Sequence, residues 1–157
     1  MTLSVNYGKG FEAALPKMMR QKVETLQTEL SKLPQYEPKT THYFHAGMYC
    51  REVFRHAGVL VVGKVHKKEH FYIIVSGTVQ ITDGEGNVRE VTGPHVFLSK
   101  PGTKRAVYAV TDTLAMTFHV TDATTVEEAE HQLVEHDPNA MYALGNAVSD
   151  KQIEVSL

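Results

Sequence analysis

The sequence predicts an all-β sandwich or barrel with a helix on either side of it. Three observations support this fold class: many short runs of β-branched and aromatic residues, turn-forming residues between them, and helical hydrophobic spacing before and after them. Closely spaced short strands are typical of sandwiches and barrels, in which closure or a second sheet protects the strand edges. The predicted strands are residues 48–55, 59–66, 70–76, 78–82, 87–92, 95–98, 105–110 and 114–120.

The first element is an amphipathic helix over residues 11–34, which Pro34 ends. Its apolar residues recur every three or four positions, so they share one helical face. This face either packs on the domain or forms a dimer, because the spacing also fits a seam of about three heptads. The apolar residues are Leu15, Met19, Val23, Leu26, Leu30 and Leu33.

The second helix begins after Asp122, where Thr124 with Glu127 and Thr125 with Glu128 both match a capping box. We expect it to run to Asp137–Pro138, with a last edge strand near residues 153–155 as an option. The predicted organisation is residues 1–41 as N-terminal helix and linker (the linker being 35–41), 42–121 as β-barrel, and 122–157 as C-terminal helix and tail.

The bulk composition is that of one ordinary globular domain with a sizeable core. Of 157 residues, 42% are hydrophobic and 22% charged, and a net charge of −2 gives no electrostatic reason to expect nucleic acid as a partner. Cys50 is the only cysteine, which excludes an internal disulfide and suits a reducing cytoplasm. No secretory signal or membrane-spanning apolar run is recognised, so we expect a cytoplasmic protein without a membrane partner.

The most informative stretch runs from Gly58 to Gly77, where two apolar runs flank a charged corner at residues 67–69. Lys64, His66 and His70 lie around this corner. Polar side chains buried between apolar strands cost free energy unless they have partners. They therefore face solvent, one another or a ligand.

The same stretch resembles the first motif of the cupins, small double-stranded β-helix (jelly-roll) proteins, whose form is G-x5-H-x-H-x3–4-E-x6-G. Gly58 and Gly77 match its bracketing glycines; Lys64 and His66 occupy its histidine positions, and His70 its glutamate position. The second motif, G-x5-P-x-G-x2-H-x3-N, is matched by Gly102 with its proline shifted to Pro101. Arg105 then stands at its histidine position and Ala109 at its asparagine position.

The resemblance covers roughly residues 42–121 and implies a jelly-roll barrel with a ligand pocket inside. Residues 63–70 and 99–109 are also similar to stretches of small phage-encoded cupin-like proteins of unassigned function. Because cupins often pair through their sheets, the resemblance also implies a homodimer.

The predicted pocket combines both motifs. Lys64 and His66 share a strand face, and a turn brings His70 onto a neighbouring strand within about 5 Å of His66. Tyr72 follows on the same face as His70, and Arg105 joins from the second motif.

One hypothesis for this pocket is a divalent metal such as Fe, Mn, Ni or Zn. His66 and His70 would supply two ligands, and His119 is the best third candidate, although strand alternation leaves it open whether His119 faces the pocket or the surface. Arg105 stays protonated and cannot ligate. A cation beside the site disfavours the metal unless an anionic ligand lies between them.

The other hypothesis needs no metal. Lys64, Lys104 and Arg105 would recognise an anionic small molecule, such as a carboxylate, phosphate or nucleotide-like ligand. His66 or His70 with Tyr72 would act as a general acid–base pair, as the resemblance to metal-free sugar-nucleotide epimerases implies. Three classes stay open: a ligand-binding protein, a metal-free isomerase, epimerase or lyase, and a metal-dependent enzyme.

Overall fold

The computed structural model describes residues 9–83 and 87–147, with side chains from residue 18 onward. It contains two helices, nine strands and one short 3₁₀ helix in these ranges. In chain order they are α1 (Lys9–Leu30), β1 (Lys39–His45), β2 (Met48–Arg55), β3 (Leu60–Val62), β4 (His70–Ser76), β5 (Thr78–Thr82), β6 (Val88–Thr92), β7 (His95–Ser99), β8 (Ala106–Ala109), β9 (Thr113–Val120), α2 (Val126–Leu133) and the 3₁₀ helix Leu144–Asn146.

The strands form two antiparallel sheets. The five-stranded sheet has the order β1-β2-β9-β4-β7, and the four-stranded sheet has the order β3-β8-β5-β6. Consecutive strands repeatedly change sheet, which is the double-stranded β-helix connectivity of a jelly roll. The predicted all-β jelly roll with a helix on either side is therefore confirmed.

The core lies between the two sheets and is built by strand alternation. Ile74 in one sheet, and Val79 and Ile81 in the other, are 1% exposed or less. Helix α1 adds to this core, because Val23 is buried in the same apolar cluster and Met19 packs against it. The apolar face of α1 thus packs on the domain, which is the first of the two roles predicted for it.

Two predicted boundaries at the N-terminal side were wrong. Helix α1 ends at Leu30 instead of residue 34. Strand β1 begins at Lys39, inside the predicted 35–41 linker, and pairs along its whole length with β2. None of its residues is fully buried, as suits an edge strand, so it lacks the apolar alternation by which the other strands were recognised.

The predicted hairpin around the charged corner was also wrong. Strand β3 stops at Val62 instead of residue 66, and β3 and β4 belong to different sheets. The connecting segment crosses between the sheets and is held there by the chain after α2: His66 forms an isolated bridge with Val134, and the Lys67 amide donates to the Leu133 carbonyl.

Helix α2 begins as predicted and ends early. Thr125 is its N-cap, with its hydroxyl accepting from the Glu128 amide. The helix ends at Leu133 because Val134 adopts an extended conformation to pair with the crossing segment. The optional strand near residues 153–155 lies outside the described residues. Among the helices of the described ranges, none has the length and apolar character needed to cross a membrane.

The outer face of the five-stranded sheet is apolar. Phe71, Val96, Leu98 and Val120 are between 50% and 78% exposed there. Cross-strand pairing places Phe71 directly beside Leu98 on one side and Phe118 on the other. These side chains form a contiguous apolar surface, which we call the outer sheet face.

Candidate functional site

Three histidines meet at one end of the barrel. His119 lies near the end of β9, His70 begins β4, and His66 lies on the segment that crosses between the sheets. Their ring centroids are 4.3 to 4.8 Å apart, and one nitrogen from each ring lies within 4.8 Å of the other two. A single ion between them could therefore contact all three.

Strand alternation and register explain this cluster. Every second residue of β9 is buried, so His119 faces inward and Val120 outward. Because Phe71 pairs with Phe118, His70 comes next to His119 on the inner face. His66 arrives from outside the sheet, through its bridge to Val134. From the sequence, strand alternation did not decide whether His119 faces the pocket or the surface. In the structure its side chain faces inward and belongs to the cluster.

The environment keeps these imidazoles neutral. Burial lowers the pKa of His66 well below its ordinary value, and the nearby charges of Arg51, His70 and His119 lower it further. Burial and the neighbouring His70 and Arg51 lower the pKa of His119 to about 3. Burial likewise lowers the pKa of His70. Neutral imidazole is the form that binds metals, because its unprotonated nitrogen carries the coordinating lone pair.

Hydrogen bonds orient two of the rings. His70 Nδ1 lies 3.2 Å from the carbonyl oxygen of Lys68. A carbonyl only accepts, so Nδ1 carries the proton and Nε2 keeps its lone pair. His119 Nε2 shares a 2.9 Å hydrogen bond with the Thr117 hydroxyl.

A cavity of about 70 Å³ adjoins the histidines between the two sheets. Its walls carry four cationic side chains and, within the described part of the chain, no aspartate or glutamate. Val61 and Val107 add apolar surface. The four cationic residues are Arg51, Arg55, Lys64 and Arg105.

The two lysines of the predicted site already have anionic partners. Lys64 lines the cavity, but its ammonium is 2.9 Å from a Glu130 carboxylate oxygen and donates to the Ala143 carbonyl. Lys104 lies outside the cavity wall and is buried against Asp137, at 2.8 Å. The charges available to a ligand therefore come from the arginines.

Arg105 and Tyr72 lie together in the cavity wall. The Arg105 guanidinium donates to the Ser99 hydroxyl at 2.6 Å and lies 6.0 Å from the Tyr72 ring centre and 5.7 Å from that of Phe97. Burial lowers the pKa of Arg105. The Tyr72 hydroxyl is buried, and no partner for it occurs in residues 18–83 or 87–147.

Sequence reasoning missed Arg51 and Arg55. Both lie on β2, at the alternate positions that also hold Tyr49 and Val53. An arginine at two inward positions of one strand is a readable signal. It was missed because charged residues on a strand are usually assigned to its exposed face.

Solved structures similar to this chain share little sequence with it. No protein-family profile matches the chain, and no curated protein does. Solved structures do match, with KdgF from Halomonas sp. at 14% identity and a TM-score of 0.49, covering 57% of this chain and 84% of that one. An RmlC-like cupin from Shewanella frigidimarina matches at 13% identity and 0.48, over 56% of this chain and 79% of its own.

A cupin superfamily protein from Desulfitobacterium hafniense matches at 11% identity and a TM-score of 0.48, over 60% of this chain and 87% of that one. The strand order and pairing give the chain a double-stranded β-helix (jelly-roll) fold. In the cupin motifs that the sequence resembles, His66 and His70 stand at ligand positions, whereas Lys64 and Arg105 hold the other two. His119 joins the cluster from a strand that neither motif includes. The similarity to phage proteins stays a prediction.

Proposed function

We propose that this protein binds a divalent transition metal at His66, His70 and His119 and holds a small anionic molecule in the adjacent cavity. The observation that carries the proposal is the three-histidine cluster, with its ligand atoms within 4.8 Å of one another. Three protein ligands with an open position for a further ligand are typical of metal sites that act on a bound molecule. Imidazole nitrogens suit Zn, Fe and Ni, and Mn is a further candidate.

The charges around the cluster support the anionic half of the proposal. Arg51 lies close enough to affect the pKa of both His66 and His119. A positive guanidinium repels a divalent cation, and an anion between them removes this repulsion. Metal and anion are therefore expected to bind together and to strengthen each other.

A second candidate is an enzyme acting on the same anion. Its support is the buried Tyr72 hydroxyl, which lies in the same cavity wall as His66 and His70. The hydroxyl would donate a proton while a neutral imidazole accepts one, as in an isomerase, epimerase or lyase. A bound metal would add Lewis-acid polarisation of a ligand oxygen.

Metal analysis of the purified protein tests the proposal. We expect close to one equivalent of Fe, Mn, Ni or Zn, with loss of most of it in His66→Ala and His119→Ala. His131→Ala is the matched control, because the His131 side chain is exposed on α2 and is not one of the three clustered histidines. A wild-type protein that stays metal-free after incubation with each ion would refute the metal site.

We also propose a homodimer formed through the outer sheet face. Half-exposed to mostly exposed apolar side chains such as Phe71, Leu98 and Val120 lie side by side on this face. A twofold contact of one such surface with its copy would bury them on both subunits. Because the ligand cavity faces the inside of the barrel, the dimer would leave it accessible.

A further inference from the structure

We infer that Arg51, Arg55 and Tyr72 form a recognition subsite for the carboxylate of a small organic acid. The inference deepens the proposed function, because it names the class of anion that the cavity takes. It assigns a role to two arginines outside the cupin motifs. It also assigns Tyr72 to ligand binding whether or not the site performs chemistry.

The sheet register brings two of these residues into one row. Arg51 on β2 pairs with Thr117 on β9, and Thr117 pairs with Tyr72 on β4. On β9, Thr117 is two residues before His119, so this row lies next to the histidine cluster on the same inner face. Arg55 lies four residues further along β2 and lines the same cavity.

Four polar atoms of these residues are buried without a hydrogen-bond partner in the described ranges. They are Nε of Arg51, Nε and Nη1 of Arg55, and the hydroxyl of Tyr72. Unsatisfied buried donors cost free energy, and ionised ones cost more. All four atoms can donate, so a ligand rich in acceptors would satisfy them together.

The charge balance of the cavity points to the same ligand. Lys64 is neutralised by Glu130, and Asp83 lies close enough to Arg105 to act on its pKa, whereas the described cavity wall holds no carboxylate beside Arg51 and Arg55. Guanidinium groups pair with carboxylates in a planar, two-bonded geometry. An organic anion would therefore compensate charges that the fold leaves uncompensated.

The size and lining of the cavity favour a small organic acid over a bare inorganic anion. A cavity of about 70 Å³ has room for an acid of a few carbon atoms. Val61, Val107 and the Tyr72 ring offer apolar contacts, which inorganic phosphate cannot use. A short acid with a second oxygen function would reach from Arg51 towards the histidines.

Calorimetry on chelator-treated protein with malonate as the probe tests the subsite separately from the metal. We expect malonate to bind the wild type, and to bind Arg51→Gln and Arg55→Gln about 10- to 100-fold more weakly, since each variant loses hydrogen bonds to a charged group. Tyr72→Phe should weaken binding about 10-fold. Arg89→Gln is the matched control, because Arg89 is exposed on β6.

A second measurement separates recognition from structural support. If the role of Arg51 is to bind an anion, its charge is uncompensated in the ligand-free protein. Arg51→Gln removes this charge, so the ligand-free variant should melt at the same temperature as the wild type or higher. Tyr72→Phe should likewise melt no lower. A clear loss of stability in both variants would make them structural residues and overturn the inference.

Three other results would also overturn it. These are absence of malonate binding by the wild type, unchanged binding by Arg51→Gln and Arg55→Gln, and inorganic phosphate binding as tightly as malonate at the same residues. Cobalt(II) titration of the same proteins keeps the two proposals apart. A wild type that binds one equivalent of cobalt but no malonate would overturn the arginine subsite and leave the metal site standing. A wild type that binds no cobalt would refute the histidine metal site.

Discussion

Acid should destabilise the metal-free protein through His119, and the size of the effect follows from its burial. The pKa of this imidazole is lowered to about 3 from 6.5, mainly by burial and then by His70 and Arg51. Below pH 6.5 the unfolded chain therefore binds a proton at His119 that the folded protein does not bind. Stability is present above pH 6.5 and is lost as the pH falls from there towards about 3.

The magnitude follows from proton linkage. Each pH unit between the unfolded and folded pKa costs about 1.4 kcal/mol per proton, so the 1.5 units from pH 6.5 to 5 cost about 2 kcal/mol. This value depends mainly on the unfolded pKa, because pH 5 lies above the folded pKa of His119. His66 and His70, whose pKa values are also lowered, add to the loss in the same direction.

Urea unfolding at pH 7 and pH 5, with chelator present, measures this effect. His119→Gln keeps a polar side chain at the site and removes the titration, so its stability should fall by about 2 kcal/mol less than that of the wild type between the two pH values. His131→Gln, altered on the exposed side of α2, should behave as the wild type does. Equal losses in wild type and His119→Gln would refute the reasoning.

The remaining predictions concern an ion pair, a helix cap and the outer sheet face. Asp137→Asn should cost about 3 kcal/mol in urea unfolding, because it leaves Lys104, 5% exposed, without its anion. Burial raises the pKa of Asp137, but hydrogen bonds from Lys104 and Gln27 outweigh this and lower it, so the contribution is present above pH 3.8 and disappears as the pH falls through the lowered value. An unchanged acid transition in Asp137→Asn would contradict this. Thr125→Ala removes the α2 cap and should cost about 1 kcal/mol, whereas Thr125→Ser should restore most of it. Leu98→Asp should shift the sedimentation coefficient from dimer to monomer without unfolding, and a wild type that sediments as a monomer would exclude the proposed dimer.

Local pattern determined much of this protein from the sequence alone. Strand alternation predicted β2, β4 and β5, and the box of Thr125 and Glu128 predicted where α2 begins. The spacing of Gly58 and Gly77 placed His66 and His70 in one sequence motif, and in the structure their rings lie side by side. These features depend on neighbours within a few residues, which periodicity and turn chemistry describe well.

Tertiary structure decided what the site contains. Only the crossing between sheets shows that His66 reaches the cluster from outside the strands, held by Val134 from a distant part of the chain. The anion site also depends on distant residues: Glu130, 66 residues from Lys64, neutralises the lysine that was predicted to bind the ligand. Arg51 on β2 instead has a buried Nε that finds no hydrogen-bond partner among the described residues. Sequence patterns identify which residues share a face, but charge compensation depends on which distant side chains meet in the folded chain.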